Sequence, residues 1–326
     1  MVNAPTPPRH GGSPHGGGRG PSAVVRQDWS KAATPWAVAE RAEGFDRLAL
    51  LNPEVGTTHT DLGIGRLAPG GRVQPHVNSY EQALYVLSGE VALQIEERAY
   101  LLGPGDFAFV PLGALHAVAN RSAAEARWMD VCSPAVLRRE SGRRDTFFPT
   151  DAPDRTATAA PPDLADPTLR LVGHYDGTEP DHLQTTATTP ARGRASAGMN
   201  TALLAYSGIS VKMLVDQNRG AHLLTMFMVD YEVGGAAQNH DHPFEEAYFF
   251  LQGETDFELA GDIHHFGPGD VAWAGVGTTH ACYNTEGGRV RWIETQAPVP
   301  PQQHSYRWPA DWDRYEAEHC RGGRNA

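Results

Sequence analysis

At 326 residues the chain is long enough for two domains that each bury a core, and its 35 glycines and 25 prolines favour turn-rich β structure and exclude an all-helical protein. A formal net charge of −12, with Lys31 and Lys212 as the two lysines, would repel a phosphate backbone, so no nucleic-acid partner is expected. No run approaches the roughly eighteen apolar residues of a membrane span, which sets a membrane partner aside as well.

Residues 1–22 (MVNAPTPPRHGGSPHGGGRGPS) have almost nothing to bury and are expected to form a disordered tail. They lack the apolar core of a secretory signal, so the expected location is cytoplasmic. Residues 23–148 form a first strand-dense unit, with runs such as 83–95 (ALYVLSGEVALQI) and 106–112 (DFAFVPL) broken by turn residues. The polar stretch 149–196, rich in Pro, Thr, Ala and Asp, is expected as a linker. Residues 197–300 form a second strand-dense unit, with 247–259 (AYFFLQGETDFEL) and 270–276 (DVAWAGV) as strand signals. A C-terminal tail, 301–326, carries Tyr306, Trp308, Trp312 and Tyr315, expected to pack on a barrel or across a dimer. The three cysteines, Cys132, Cys282 and Cys320, are odd in number and show no CxxC spacing, which argues against a disulfide framework or a structural zinc site.

The two units align with each other, without a gap, at an offset of 164 residues. Gly70 falls on Gly234, His76 on His240, Gly89 on Gly253, Gly105-Asp106 on Gly269-Asp270, Gly113 on Gly277, His116 on His280 and Asn120 on Asn284. Arg127-Trp128 and Pro134 likewise match Arg291-Trp292 and Pro298, so over 65 positions the halves read as a duplicated unit.

In the second unit, Gly234, His240, His242, Glu246 and Gly253 are followed by Gly269, Gly275, Gly277, His280 and Asn284. These spacings resemble the two motifs of the cupin superfamily, with Gly275 standing where the pattern usually has proline. The first unit has Pro111 there and matches the second motif throughout. The resemblance implies an all-β chain of tandem duplicated cupin domains, each a double-stranded β-helix or jelly-roll barrel, that is, a bicupin.

The spacing also makes chemical sense by itself. Residues two apart on a strand share a face, so His240 and His242 converge, Glu246 lies on that face again, and His280 approaches from a strand across the barrel. Three imidazoles and a carboxylate suit one divalent transition metal per chain (Fe, Mn, Ni, Cu, Co or Zn) better than Mg or Ca, with positions left for water, oxygen or substrate. By parity Asp241 and Glu245 are expected as outer-face charges, and Tyr248 and Cys282 face the metal cavity as candidate catalytic residues; Trp273 with Met226 and Met228, on strands flanking the motif, is expected to supply an apolar wall. In the first unit the same four positions read His76, Asn78, Gln82 and His116, a degenerate set because amide oxygens are weak, uncharged donors. Glu81 is one residue out of phase. A structural or dimer-forming role is therefore expected for the first barrel, and a homodimer for the protein.

The superfamily resemblance leaves the reaction open, because the fold hosts dioxygenases, decarboxylases, isomerases, hydrolases and binding proteins. Gentisate-type dioxygenases usually carry iron in the N-terminal barrel, the reverse of the layout here. Ureidoglycine aminohydrolases are similar in plan, with manganese in the C-terminal barrel, but their set of one glutamate, two histidines and a glutamine differs. The His-His-Glu-His set resembles that of oxalate decarboxylases, quercetin-type dioxygenases and germin-like proteins. It implies a metal-dependent oxidoreductase of dioxygenase type acting on a small organic substrate. The alternatives are a non-redox metal enzyme (an amidohydrolase, lyase or isomerase) and a small-molecule-binding bicupin without catalysis.

Overall fold

The computed structural model describes residues 20–177, 184–185, 206–284 and 287–299. Most of the expected N-terminal tail, much of the expected linker, and the C-terminal tail with its aromatic residues and Cys320 lie outside the described residues. The rest is nearly all β, folded into two barrel-like sheets. No helix among the described residues is long and apolar enough to cross a membrane.

The duplication read in the sequence extends to strand order and register. In barrel one the strand Asp61–Asn78 lies between Ala126–Ser133 and His116–Ala119, and in barrel two Thr225–His240 lies between Val290–Ala297 and His280–Tyr283. His76 stands opposite His116, and His240 opposite His280. Glycine at the matched turns is dictated by geometry: Gly89 and Gly253 sit at φ 72° and 75°, and a Cβ there would lie 2.4 Å from Glu125 O and 2.5 Å from Arg289 O. Asn120 and Asn284 tie loops down by donating to the carbonyls of Leu67 and Ala124 in one barrel, and of Tyr231, Glu232 and Gly288 in the other.

The barrels pack face to face. One apolar cluster holds Leu48, Leu62, Phe109 and Met129 of barrel one together with Met226, Met228, Trp273 and Ile293 of barrel two. Trp273 and the methionine pair, expected as a wall of the metal cavity, are thus spent on this shared core. The strand faces they occupy meet the other barrel, not the metal cavity.

Two buried carboxylates lock the interface reciprocally. Glu81 accepts from the backbone N–H groups of His222 and Leu223, both at 2.8 Å, while Glu245 accepts from Thr58, His59 and Thr60 at 2.8, 3.1 and 3.0 Å. Glu81 and Glu245 are equivalent in the repeat, so each barrel clamps the same loop of its twin. Glu245 is 3% exposed and Asp241 4%, which corrects the expectation of outer-face charges: both are buried, Glu245 against the 58–60 loop of barrel one.

Chain segments also cross over. Ser22–Val25 adds antiparallel to Val271–Ala274 of barrel two, and Val172–His174, from the stretch expected as a linker, adds to Asp106–Val110 of barrel one. Pro21 O accepts from Gly275 N at 2.8 Å and from Thr278 Oγ1 at 2.7 Å, and a Cβ on residue 275 would sit 2.6 Å from Pro21. This accounts for glycine in place of the usual proline: a proline has no N–H to donate, and Pro21 leaves no room for a side chain.

Candidate metal centre

His240 ends the strand Thr225–His240, after which the chain turns, so that Glu246 returns on a different strand, Glu245–Gln252. Between those two strands in the sheet runs Val290–Ala297. The period-two reading therefore placed Glu246 on the inner face, but by way of a bend rather than along one strand. Gly277 N donates to His242 O at 2.9 Å, fastening the second motif's turn to the first motif's, and His280 begins the strand beyond it.

The four side chains converge. One ligand atom from each of His240, His242, Glu246 and His280 lies within 4.8 Å of the others, an arrangement that could hold a metal ion, and all four residues are 2–3% exposed. Each imidazole is oriented through Nδ1, which faces a backbone carbonyl: His240 to Gln238 O at 2.7 Å, His242 to Phe244 O at 2.9 Å, His280 to Thr278 O at 2.9 Å. An Nδ1–H given to a carbonyl leaves Nε2 of a neutral ring as the lone-pair atom. Nε2 of His242 and of His280 lie 2.9 and 3.1 Å from the same Glu246 Oε2. Lone pairs facing a carboxylate oxygen at these distances repel unless a cation lies among them. Protonating several rings in a buried site is costly, so the donor set fits a divalent transition ion.

Electrostatics agree with that fit. Burial pushes His240 well below the ordinary histidine value, with His280 and His242 adding to the effect, so its ring is neutral and ready to ligate. Burial alone would raise Glu246, but attraction to positive charge on the His242 and His280 side holds its carboxyl well below the usual range, so the group that faces the rings is a carboxylate. No lysine or arginine lies within ion-pairing distance of Glu246 among the described residues.

Of the two candidate catalytic residues, Tyr248 is brought to the site: its hydroxyl donates to Glu246 Oε2, and its ring centroid is 6.1 Å from His280. Cys282 is not tied to the ligands. It packs in the apolar cluster with Tyr231 and Phe257, its Sγ is 3.7 Å from Thr255 Oγ1, and burial pushes its thiol up to about 12. It therefore stays protonated and inert at neutral pH.

Three neighbours escaped the sequence reading. Gln296 donates to Glu246 Oε1 at 2.6 Å, Phe244 stacks on His242 with centroids 3.9 Å apart, and Glu294 stands cross-strand from Tyr248. Burial and the charge of Glu246 raise the Glu294 carboxyl well above its ordinary value, while Trp292 Nε1 donates to its Oε2 at 3.1 Å. Parity along Val290–Ala297 was the available signal, since Glu294 and Gln296 share the inward face of that strand.

Barrel one carries different chemistry at the equivalent place. His116 Nδ1 faces Ala114 O at 2.9 Å, and its Nε2 is met by Asn78 Nδ2 at 3.2 Å, so an N–H donor stands where a metal would. Below it Arg47 is buried between Asp61 and Asp130, at 2.7 and 2.9 Å, and Gln82 donates to Asp130 at 3.0 Å.

Comparison with known proteins gives the same picture of the fold. The Cupin domain family matches residues 63–132 and 227–295. The tetracenomycin polyketide synthase protein TcmJ of Streptomyces glaucescens is 31% identical over 135 residues, covering 41% of this chain and 87% of that protein. Among solved structures, a mutant of salicylate 1,2-dioxygenase from Pseudoaminobacter salicylatoxidans, in complex with gentisate, superposes with a TM-score of 0.60 at 17% identity, covering 89% of this chain and 84% of its own. Oxalate decarboxylase from Bacillus subtilis superposes with a TM-score of 0.55 at 14% identity, covering 91% and 82%.

Proposed function

The chain belongs to the cupin superfamily as a two-domain bicupin, and from that premise we propose that barrel two holds one divalent transition metal through His240, His242, Glu246 and His280 and that the protein is a metal-dependent oxidoreductase, of dioxygenase type, acting on a small organic molecule. The observation that carries this reading is the convergence of two imidazole Nε2 atoms on Glu246 Oε2, each ring locked by its Nδ1 bond to a carbonyl. A transition ion bound there supplies a Lewis-acid and redox centre with positions open to substrate and oxygen.

The chain's own residues have separable tasks. Gln296 and Tyr248 donate to Glu246 and fix its orientation, so that its charge is presented toward the histidines. Phe244 stacked on His242 and the buried surroundings exclude water and strengthen each interaction. A salicylate dioxygenase among the structural neighbours and a polyketide synthase protein among the sequence relatives support an oxygen-bearing, ring-containing substrate class.

Glu294 favours a second reading, a lyase. A carboxyl that keeps its proton beside Glu246 can deliver that proton to a substrate carbon, as a decarboxylation requires, and an oxalate decarboxylase is among the neighbours. Oxygen uptake by the metal-loaded protein over a panel of phenols, keto acids and short carboxylates separates the two. Uptake with a phenol supports the dioxygenase; carbon dioxide release from a carboxylate without net oxygen consumption replaces it with the lyase.

A further inference from the structure

Barrel one contains a cavity of about 100 Å³ on the inner face where barrel two has its histidine and carboxylate cluster. Phe45, Leu84, Leu93, Val118 and Trp128 are among its apolar lining, beside polar groups that include Arg47, His76, Asn78 and Asp130. This combination, an apolar chamber with a few fixed polar atoms, is the usual build of a small-molecule site.

Among these polar groups the charges pair with one another, and the Asn78 carbonyl is left as an acceptor. Arg47 is engaged by Asp61 and Asp130, Gln82 Nε2 by Asp130, and Asn78 Nδ2 by His116. The Tyr80 hydroxyl lies against that of Thr146. The amide orientation of Asn78 is fixed by chemistry: His116 gives its Nδ1–H to Ala114 O, so its Nε2 needs a donor, and only the amide nitrogen of Asn78 supplies one. That leaves Asn78 Oδ1 buried without a partner, on a residue 4% exposed. His76 gives Nδ1 to Gln74 O at 2.7 Å, which makes its Nε2 a second acceptor. Burial lowers His76 to about 4, so the ring does not become a donor at neutral pH.

Unsatisfied buried acceptors are costly, and a ligand that donates to them recovers that cost. An anion would lie against the Asp130 carboxylate and the Asn78 carbonyl, and a cation against the Arg47 guanidinium. We infer that barrel one binds a compact neutral hydroxyl compound, of about the size of a single phenol ring, its hydroxyl donating to His76 Nε2 or Asn78 Oδ1 and its ring against Trp128 and Phe45. This site is separate from the metal reading of barrel two and stands whether or not that reading holds.

The test uses the intact chain and the ¹⁹F resonance of 4-fluorophenol. A bound signal is expected in the unmodified protein and in His280→Ala. It is expected to weaken about tenfold in affinity in His76→Phe, which keeps a ring but removes the acceptor. Fluorobenzene, which has no hydroxyl, should bind about tenfold more weakly to the unmodified chain, a comparison that needs no variant to fold. Equal binding of fluorobenzene, tighter binding of 4-fluorobenzoate or of 4-fluorobenzylamine, a signal lost in His280→Ala but kept in His76→Phe, or no bound signal at all would each overturn the inference.

Discussion

Barrel one and barrel two share strand order, turn glycines and the histidine pair across the central strands, yet they differ at the centre: a buried guanidinium in one, and in the other a histidine and carboxylate group that could hold a metal ion. In barrel one Arg47, opposite Gly65, reaches between Asp61 and Asp130. At the equivalent positions barrel two has Val211, opposite Val229, with Thr225 and Glu294. Barrel two has thus exchanged an arginine and an aspartate for a valine and a threonine, while Glu246 replaces Gln82. The comparison teaches that a duplicated barrel can keep its scaffold while the countercharge to its buried carboxylates is a covalent guanidinium in one copy and, on the proposed reading, an exchangeable ion in the other. A buried carboxylate needs such a countercharge in either case.

The largest expected effect comes from removing the covalent cation. Arg47→Met leaves Asp61 and Asp130 buried without their partner and should cost about 3–5 kcal/mol in urea unfolding at pH 7. Part of that loss should return on mild acidification, because burial already raises Asp130 against the pull of Arg47. A loss below about 1 kcal/mol would mean that the guanidinium is not the countercharge of barrel one.

Next comes acid. His76 is lowered from 6.5 to about 4 by burial, so the fold favours the neutral ring. The unfolded chain then binds more protons, and the stability involved is present above the unfolded value near 6.5 and lost as pH falls toward 4. The loss is about 3 kcal/mol. Chemical denaturation at pH 7 and pH 4 should therefore show a smaller drop for His76→Phe than for the unmodified chain; equal drops would place the acid sensitivity elsewhere.

A slightly smaller effect belongs to barrel two. An ion bound only by the folded state at a hundred times its dissociation constant stabilises it by about 2.7 kcal/mol. Chelation should lower the melting temperature of the unmodified protein and leave that of His240→Ala unmoved. A chelator that shifts both equally is acting outside the proposed centre.

The sequence carried the duplication and the convergence of the four residues because both are written as fixed spacings: glycines where φ must be positive, and histidines in strand register. What lay beyond it depends on what each face meets. Parity assigned Glu81 and Glu245 to the face opposite the ligands, correctly, but could not tell that this face meets the other barrel, where both carboxylates cap backbone N–H groups. Arg47 lies upstream of the 65 aligned positions, on a strand whose counterpart carries Val211, so the repeat gave no cue to it. The glycine at 275 looked like a departure from a motif and is instead the footprint of Pro21, a contact across more than 250 residues of sequence that no local pattern encodes.

The central claim, one metal centre in barrel two and none in barrel one, is tested most directly by elemental analysis of tag-free protein beside two single variants. The account predicts close to one equivalent of a transition metal per chain in the unmodified protein and in His76→Ala, and close to none in His240→Ala. Two tightly bound equivalents in the unmodified chain, or metal lost on His76→Ala and retained on His240→Ala, would contradict it.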